Sequence, residues 1–307
     1  MHIYPDYYND FKCIASRCRH NCCIGWEIDI DDSTLEVYKN VQGEFGQRLS
    51  DNIKLSDTPH FVLKSDERCP FLNDRNLCDI ICHLGENCLC DICREHPRFH
   101  NELPDRVESG LGMCCEEVAR IILSKSDKTF LVCECDTKTD DEIILLRDKV
   151  IDALQDRRYS IPTRIENMLK LCDTALDDIS IERACEILLH LERMDESWSE
   201  YITALKDGYK RADLTAFDDY MREREYEYEQ LCVYFIYRHF ANSPSLDDAK
   251  QRAKFTAFAY NTIRALGAIM FQKNGEFDFE TQAQLCRLFS SEIEYSDENI
   301  YTLFDIL

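Results

Sequence analysis

Along this chain the rhythm of apolar and polar positions changes once. Ile24, Trp26, Ile28 and Ile30 alternate with Gly25, Glu27 and Asp29, the period-2 pattern of a strand with one buried face. The run DDST that follows supplies side-chain oxygens able to cap a helix. Leu35, Tyr38, Phe45 and Leu49 then recur at near-helical spacing and predict that helix. Phe61 and Leu63 predict another short strand, and CPFLNDRNLC (69–78) a hairpin turning at Asn73 to Asn76. A helix is expected over 79–94, because Pro97 restricts His96 and discourages continuation. CCEEVARIILSK (114–125) predicts a further helix and TFLVCEC (129–135) a terminal strand.

After residue 140 the strand signals stop and amphipathic segments follow one another: 142–154, 162–176, 181–194, 227–241, 253–271 and 281–293. Pro162 suits a first helical turn and Gly275 a turn between the last two long helices. The expected fold is mixed but mainly α: a small α+β cysteine-rich N-terminal domain over 1–138, then an all-α helical domain over 139–307. The polar, turn-rich run DTKTDDE (136–142) marks the expected division.

Composition narrows the possible functions. With 307 residues and 45% hydrophobic content, the chain can build a sizeable core without disulfide staples. The first residues, MHIYPDYYNDFKC, lack the basic region, apolar run and small-residue cleavage site of a secretory signal, and no stretch has the apolar length of a membrane span. A cytoplasmic, reducing setting is therefore expected, where cysteine clusters are more often metal-binding or catalytic than disulfide-bonded. The net charge of -23 repels nucleic acid and anionic membranes, and favours a lysine-bearing protein or a cationic small molecule as partner.

Fourteen of the 18 cysteines fall in the first 135 residues. One group, Cys13, Cys18, Cys22 and Cys23, sits in a polar loop before the alternating segment. Cys69 and Cys78 lie at the base of the expected hairpin, and Cys93 closes the expected helix nearby. Soft thiolates at such positions suit zinc or an iron–sulfur cluster, and the pattern leaves that choice open, since only CDIC (90–93) has the C-x2-C spacing of a zinc knuckle. The C-x3-C-x2-C loop of radical enzymes is missing, because Gly25 and Gly85 stand where a third cysteine would be needed. Cys172, Cys185, Cys232 and Cys286, isolated on apolar helical faces, read as small core residues. GLGMCC (110–115) begins like a nucleotide-binding glycine loop but has Cys115 at the third glycine position, and reads as a strand entering a helix. Cys93 with His96 lacks the orienting Asn or Asp of a thiol protease, which makes His96 a packing or ligand-orienting residue.

Four ordered blocks, FKCIASRCRHNCCIGWEIDID, RCPFLNDRNLCDI, LGENCLCDICREHPR and GMCCEEVARIIL, resemble the flagellin lysine-N-methylase family. Their cysteine framework is also similar to that of cysteine-rich zinc- or iron-chelating proteins. The resemblance covers most of 11–124, with a looser match at VYFIYRHF (233–240). It implies transfer of methyl groups from S-adenosylmethionine to flagellin lysines, assisted by an iron–sulfur cluster, four-iron in kind, with zinc as the alternative. The metal positions it implies are Cys13, Cys18, Cys22, Cys23, Cys69, Cys78, Cys93 and Cys114. Cys82, Cys88 and Cys90 lie outside the shared pattern, and Cys115 stands where family members often have proline. Tyr234 and Tyr237 are aromatic enough to line a sulfonium pocket, but an aromatic stripe on a helix is the ordinary signature of core. The other functional class the residues allow is a non-enzymatic zinc- or iron-binding or metal-delivery module with a helical interaction domain.

Overall fold

Helices dominate the computed structural model, which describes residues 1–133, 139–176 and 180–307, and the strands fall in its N-terminal part. This is the expected mainly-α class with an α+β beginning. Two compact units result, Lys12–Phe99 and Met1–Phe11 with His100–Leu307.

Lys12–Phe99 packs around Ile28, Ile30, Leu35, Tyr38, Leu49, Phe61, Phe71 and Ile80. The alternating segment 24–30 buries Ile28 and Ile30 as its period predicts, yet it is not a strand. Among the described residues it makes the isolated bridges Ile24–Arg68 and Asp29–His60, and Gly25, at φ +92°, interrupts the extended run. The single helix expected from Leu35 to Leu49 is two, Asp32–Lys39 and Gly43–Asp51, separated where Gly43 takes a left-handed φ of +81°. Asp31 caps the first, accepting a hydrogen bond from the Thr34 amide at 2.9 Å. Phe61 does lie in a short strand, His60–Phe61, paired antiparallel with Ile53–Lys54. Asn73 begins the expected tight turn, whose amide bonds the Leu77 carbonyl beside the Leu72–Cys78 bridge. The helix expected over 79–94 also divides, into Asp79–Leu84 and Asp91–Glu95, with Gly85 at φ +91° between them.

A four-stranded sheet in the order Arg98–Leu103, Arg106–Leu111, His2–Pro5, Leu131–Cys133 lies in the other unit except for Arg98 and Phe99. His2–Pro5 runs parallel to Arg106–Leu111, with Ile3 opposite Glu108, and antiparallel to Leu131–Cys133, with Ile3 opposite Cys133. The remainder of the expected strand 129–135 and the start of the expected linker, residues 134–138, lie outside the described residues. A division at 138/139 follows cysteine content, whereas the compact units divide at 11/12 and 99/100, and His2–Pro5 pairs with Arg106–Leu111 and Leu131–Cys133 in the unit that also holds the long helices.

The six helices read from the pattern are present: Glu142–Leu154, Ile161–Leu171, Ile181–His190, Glu225–His239, Leu246–Asn274 and Phe279–Ile293. Glu196–Gly208, Leu214–Met221 and Asp297–Ile306 add to them. Pro162 stands in a first turn, and Gly275 ends its helix in the left-handed region at φ +77°. Phe235, Phe255 and Phe289 meet edge-on or tilted in the interior, and Tyr234 and Tyr237 are fully buried there. The Glu225–His239 helix also buries Glu229, which Arg164 Nη1 meets at 2.6 Å and Arg157 Nη2 at 2.8 Å. Among the described residues no helix is long and apolar enough to cross a membrane.

Candidate metal centre

Backbone bonds carry the thiols of Lys12–Phe99 toward one another. The Cys69 amide donates to the Cys23 carbonyl at 2.8 Å, and Gly25 donates to the Glu67 carbonyl at 3.1 Å, so the loop bearing Cys22 and Cys23 runs beside the one bearing Cys69. Across the tight turn, the Asp79 amide donates to the Phe71 carbonyl at 2.8 Å and returns Cys78 to Cys69. Arg48 locks this turn, donating to Asp79 Oδ2 at 2.7 Å and to the Pro70 carbonyl at 2.6 Å. Cys90 and Cys93 come from the start of the Asp91–Glu95 helix. The Asp31 carboxylate that caps the first helix also accepts from the Asp91 amide at 2.9 Å, so one side chain holds the starts of two helices. Tyr38 adds a bond from its hydroxyl to the Cys88 carbonyl at 2.7 Å.

The thiols perturb one another. Cys22 is drawn down to about 4, first by the hydrogen bond from Cys23 and further by one from His96. Cys23 is pushed far up, because it is the donor of that bond and because it is buried, with the charges of Cys69 and Cys78 acting in the same direction. Cys90 and Cys93 form a second such pair: the bond from Cys93 lowers Cys90 and raises Cys93, and Cys23 and Cys69 also raise Cys93. Burial pushes Cys69 up to about 11 and raises Cys78. Cys69 and Cys90 are themselves part of the apolar core, with Cys23, Cys78, Cys88 and Cys93 packed against it. Thiolates this close repel and are poorly solvated, so deprotonating several of them requires a cation in their midst.

Of the eight positions expected to bind metal, the structure brings Cys22, Cys23, Cys69, Cys78 and Cys93 into this mutually interacting set. Cys13 and Cys18 stand in the preceding loop, where Cys13 Sγ accepts from the Ala15 amide at 3.4 Å and Cys18 Sγ donates to the His20 carbonyl at 3.2 Å. Cys114 belongs to the other unit, beside Tyr295, where burial pushes its thiol up. Sequence reasoning passed over Cys90, which is completely buried, although its C-x2-C spacing to Cys93 was the available signal. His96, expected to be a packing or ligand-orienting residue, is hydrogen-bonded to Cys22 and faces the Trp26 ring at 6.0 Å. Cys135 lies outside the described residues.

In the helical unit, Tyr234 and Tyr237 are occupied as structural groups. Tyr234 Oη accepts from the Met113 amide at 3.0 Å and donates to Glu294 at 2.9 Å, while Tyr237 Oη reaches the Ser109 carbonyl at 3.0 Å. Cys172, Cys185, Cys232 and Cys286 are buried there as expected. GLGMCC is a strand entering a helix, with Arg106–Leu111 followed by Glu116–Leu123.

Residues 110–307 match the family model described as the FliB lysine N-methylase C-terminal domain. Over 130 residues the chain is 28% identical to the lysine-N-methylase of Salmonella typhimurium (strain LT2), a stretch covering 40% of this chain and 32% of that protein. The lysine-N-methylase of Salmonella choleraesuis (strain SC-B67) matches to the same extent. The flagellar biosynthetic protein FliU of Salmonella muenchen is 29% identical over 130 residues, 40% of this chain and 77% of that protein. The match thus spans about a third of the length of the two lysine-N-methylases. No solved structure matches the chain. Because the family model covers well over half of its residues, the chain belongs to the FliB lysine N-methylase family.

Proposed function

We propose that this protein transfers a methyl group from S-adenosylmethionine to the ε-amine of lysines on flagellin, and that its thiol centre holds an iron–sulfur cluster. The observation that carries the reading is the family match across 110–307. The flagellar name of the Salmonella muenchen relative points to the substrate. In the transfer, a neutral lysine nitrogen attacks the sulfonium methyl in line. The new N–C bond forms as the S–C bond breaks, the electron pair returns to sulfur, and the amine then loses a proton to solvent. A lysine-bearing surface approaches a chain of net charge -23 with favourable long-range attraction.

The donor set fits the cluster. Cys23, Cys69, Cys78 and Cys93, joined by Cys90, are the residues that would hold it, with Cys22 hydrogen-bonded alongside. Soft thiolate donors of this kind suit an iron–sulfur cluster, with a single zinc as the alternative. When bound, such a cluster supplies cross-linking of three loops and one-electron redox capacity.

The test is to incubate the anaerobically purified, cluster-loaded protein with S-adenosylmethionine and unmodified flagellin, and to follow the flagellin by intact-protein mass spectrometry. Stepwise addition of methyl mass at lysines is expected, slowed by added salt through weaker substrate capture. Failure both to bind S-adenosylmethionine and to change the flagellin mass would overturn the reading and leave a metal-binding or metal-delivery module in its place.

A further inference from the structure

We propose that Glu27, Asp29 and His60 form a binding site for one divalent first-row transition metal ion, separate from the thiol centre. The proposal does not depend on the methylase reading. One ligand atom from each of these residues lies within 4.8 Å of the other two, and no cysteine sulfur joins the group.

The backbone sets this arrangement. Glu27 and Asp29 are two residues apart in an extended segment whose intervening Ile28 is buried, so their side chains share the opposite face. Asp29 forms an antiparallel bridge with His60, which places the imidazole on that same face. The Phe61 amide ties the segments together through the Ile28 carbonyl at 3.0 Å.

His60 is oriented as a ligand. Its Nδ1 lies 3.0 Å from the Thr58 carbonyl, and a carbonyl only accepts, so the hydrogen is on Nδ1 and the lone pair of the neutral ring is on Nε2. Nε2 lies 3.3 Å from Glu27 Oε2. Two acceptors facing each other at that distance repel unless something positive sits between them. A proton on Nε2 would satisfy Glu27 alone and leave the exposed Asp29 carboxylate to water, whereas a metal ion engages all three. An imidazole held by a carbonyl behind it is the usual arrangement of a metal-binding histidine. One imidazole with two carboxylates suits manganese, ferrous iron or zinc, with further positions left for water.

Manganese(II) is the probe, because it favours oxygen and nitrogen donors and competes poorly for thiolates. The full-length, cluster-loaded protein is titrated anaerobically, and free manganese is read from its electron paramagnetic resonance signal. One saturable site per chain is expected, weakened by about tenfold or more in Glu27→Gln, Asp29→Asn and His60→Ala, with iron and sulfide content unchanged and with Glu36→Gln binding as the parent does. Only 12% of the His60 side chain is exposed, against 62% for Glu27, so Glu27→Gln decides the matter should His60→Ala fail to fold. The proposal is overturned by the absence of a saturable site in the parent, or by undiminished affinity in Glu27→Gln and Asp29→Asn.

Discussion

Cysteines serve two different ends in the two units. In the helical unit Cys185, Cys232 and Cys286 fill space among apolar side chains, and burial is the largest cause that raises their thiols. In Lys12–Phe99 the thiols act chiefly on each other: Cys23 against Cys22, and Cys93 against Cys90. The first kind is a small hydrophobe that another small residue can replace. The second is a set of thiols that could all be deprotonated together only around a cation. The difference shows that thiol count is uninformative until the neighbours of each sulfur are known.

The sharpest way to break the contrast is to exchange one cysteine in each unit for serine. On the proposed reading, Cys90→Ser should abolish metal retention and open the Lys12–Phe99 segment to hydrogen exchange, since metal binding couples to folding where thiols from several loops share one centre. Cys286→Ser should leave metal content intact and cost about 1–3 kcal/mol through a buried hydroxyl, read by denaturant unfolding. Next in size is Arg164→Ala. Glu229 is fully buried between Arg164 and Arg157, and removing one partner strands part of its charge. A loss of about 3 kcal/mol is expected, again with metal content unchanged.

A smaller effect is a pH dependence confined to the helical unit. Burial pushes Glu292 up to about 7, while the Met194 amide bonds its Oε2 at 3.0 Å and Oε1 has no partner. A carboxyl raised in the folded state favours the protonated fold. Its contribution to stability is therefore full below the ordinary value of 4.5 and is lost as pH rises toward about 7. Glu292→Gln should flatten that fall in melting temperature between these limits, and an unaltered slope would count against the assignment. The smallest expected effect is Asp31→Ala, which removes the cap shared by Asp32–Lys39 and Asp91–Glu95. It should cost about 1 kcal/mol and speed amide exchange at Asp91.

Much of the helical half was legible because amphipathic periodicity is local. The segment 142–154 coincides with the helix Glu142–Leu154, and Pro162 and Gly275 mark helix ends through backbone restrictions of their own. The N-terminal part was less legible. Alternation at 24–30 correctly buried Ile28 and Ile30, but a strand also needs a partner along its length, and this segment finds bridges only at Ile24 and Asp29. Helical spacing from Leu35 to Leu49 likewise ran across the break before Gly43. The thiol richness of the candidate site was visible in the sequence, and the C-x2-C spacing to Cys93 was a signal for Cys90. What no local pattern encodes is the long-range contact that joins this loop to the first helix, Asp31 accepting from the Asp91 amide across sixty residues.

Anaerobic purification followed by iron, acid-labile sulfide and zinc analysis, on the parent and on Cys90→Ser, tests the central claim most directly. The account predicts iron with matching sulfide in the parent and neither in the variant. Stoichiometric zinc without sulfide, or iron and sulfide retained undiminished by Cys90→Ser, would contradict it.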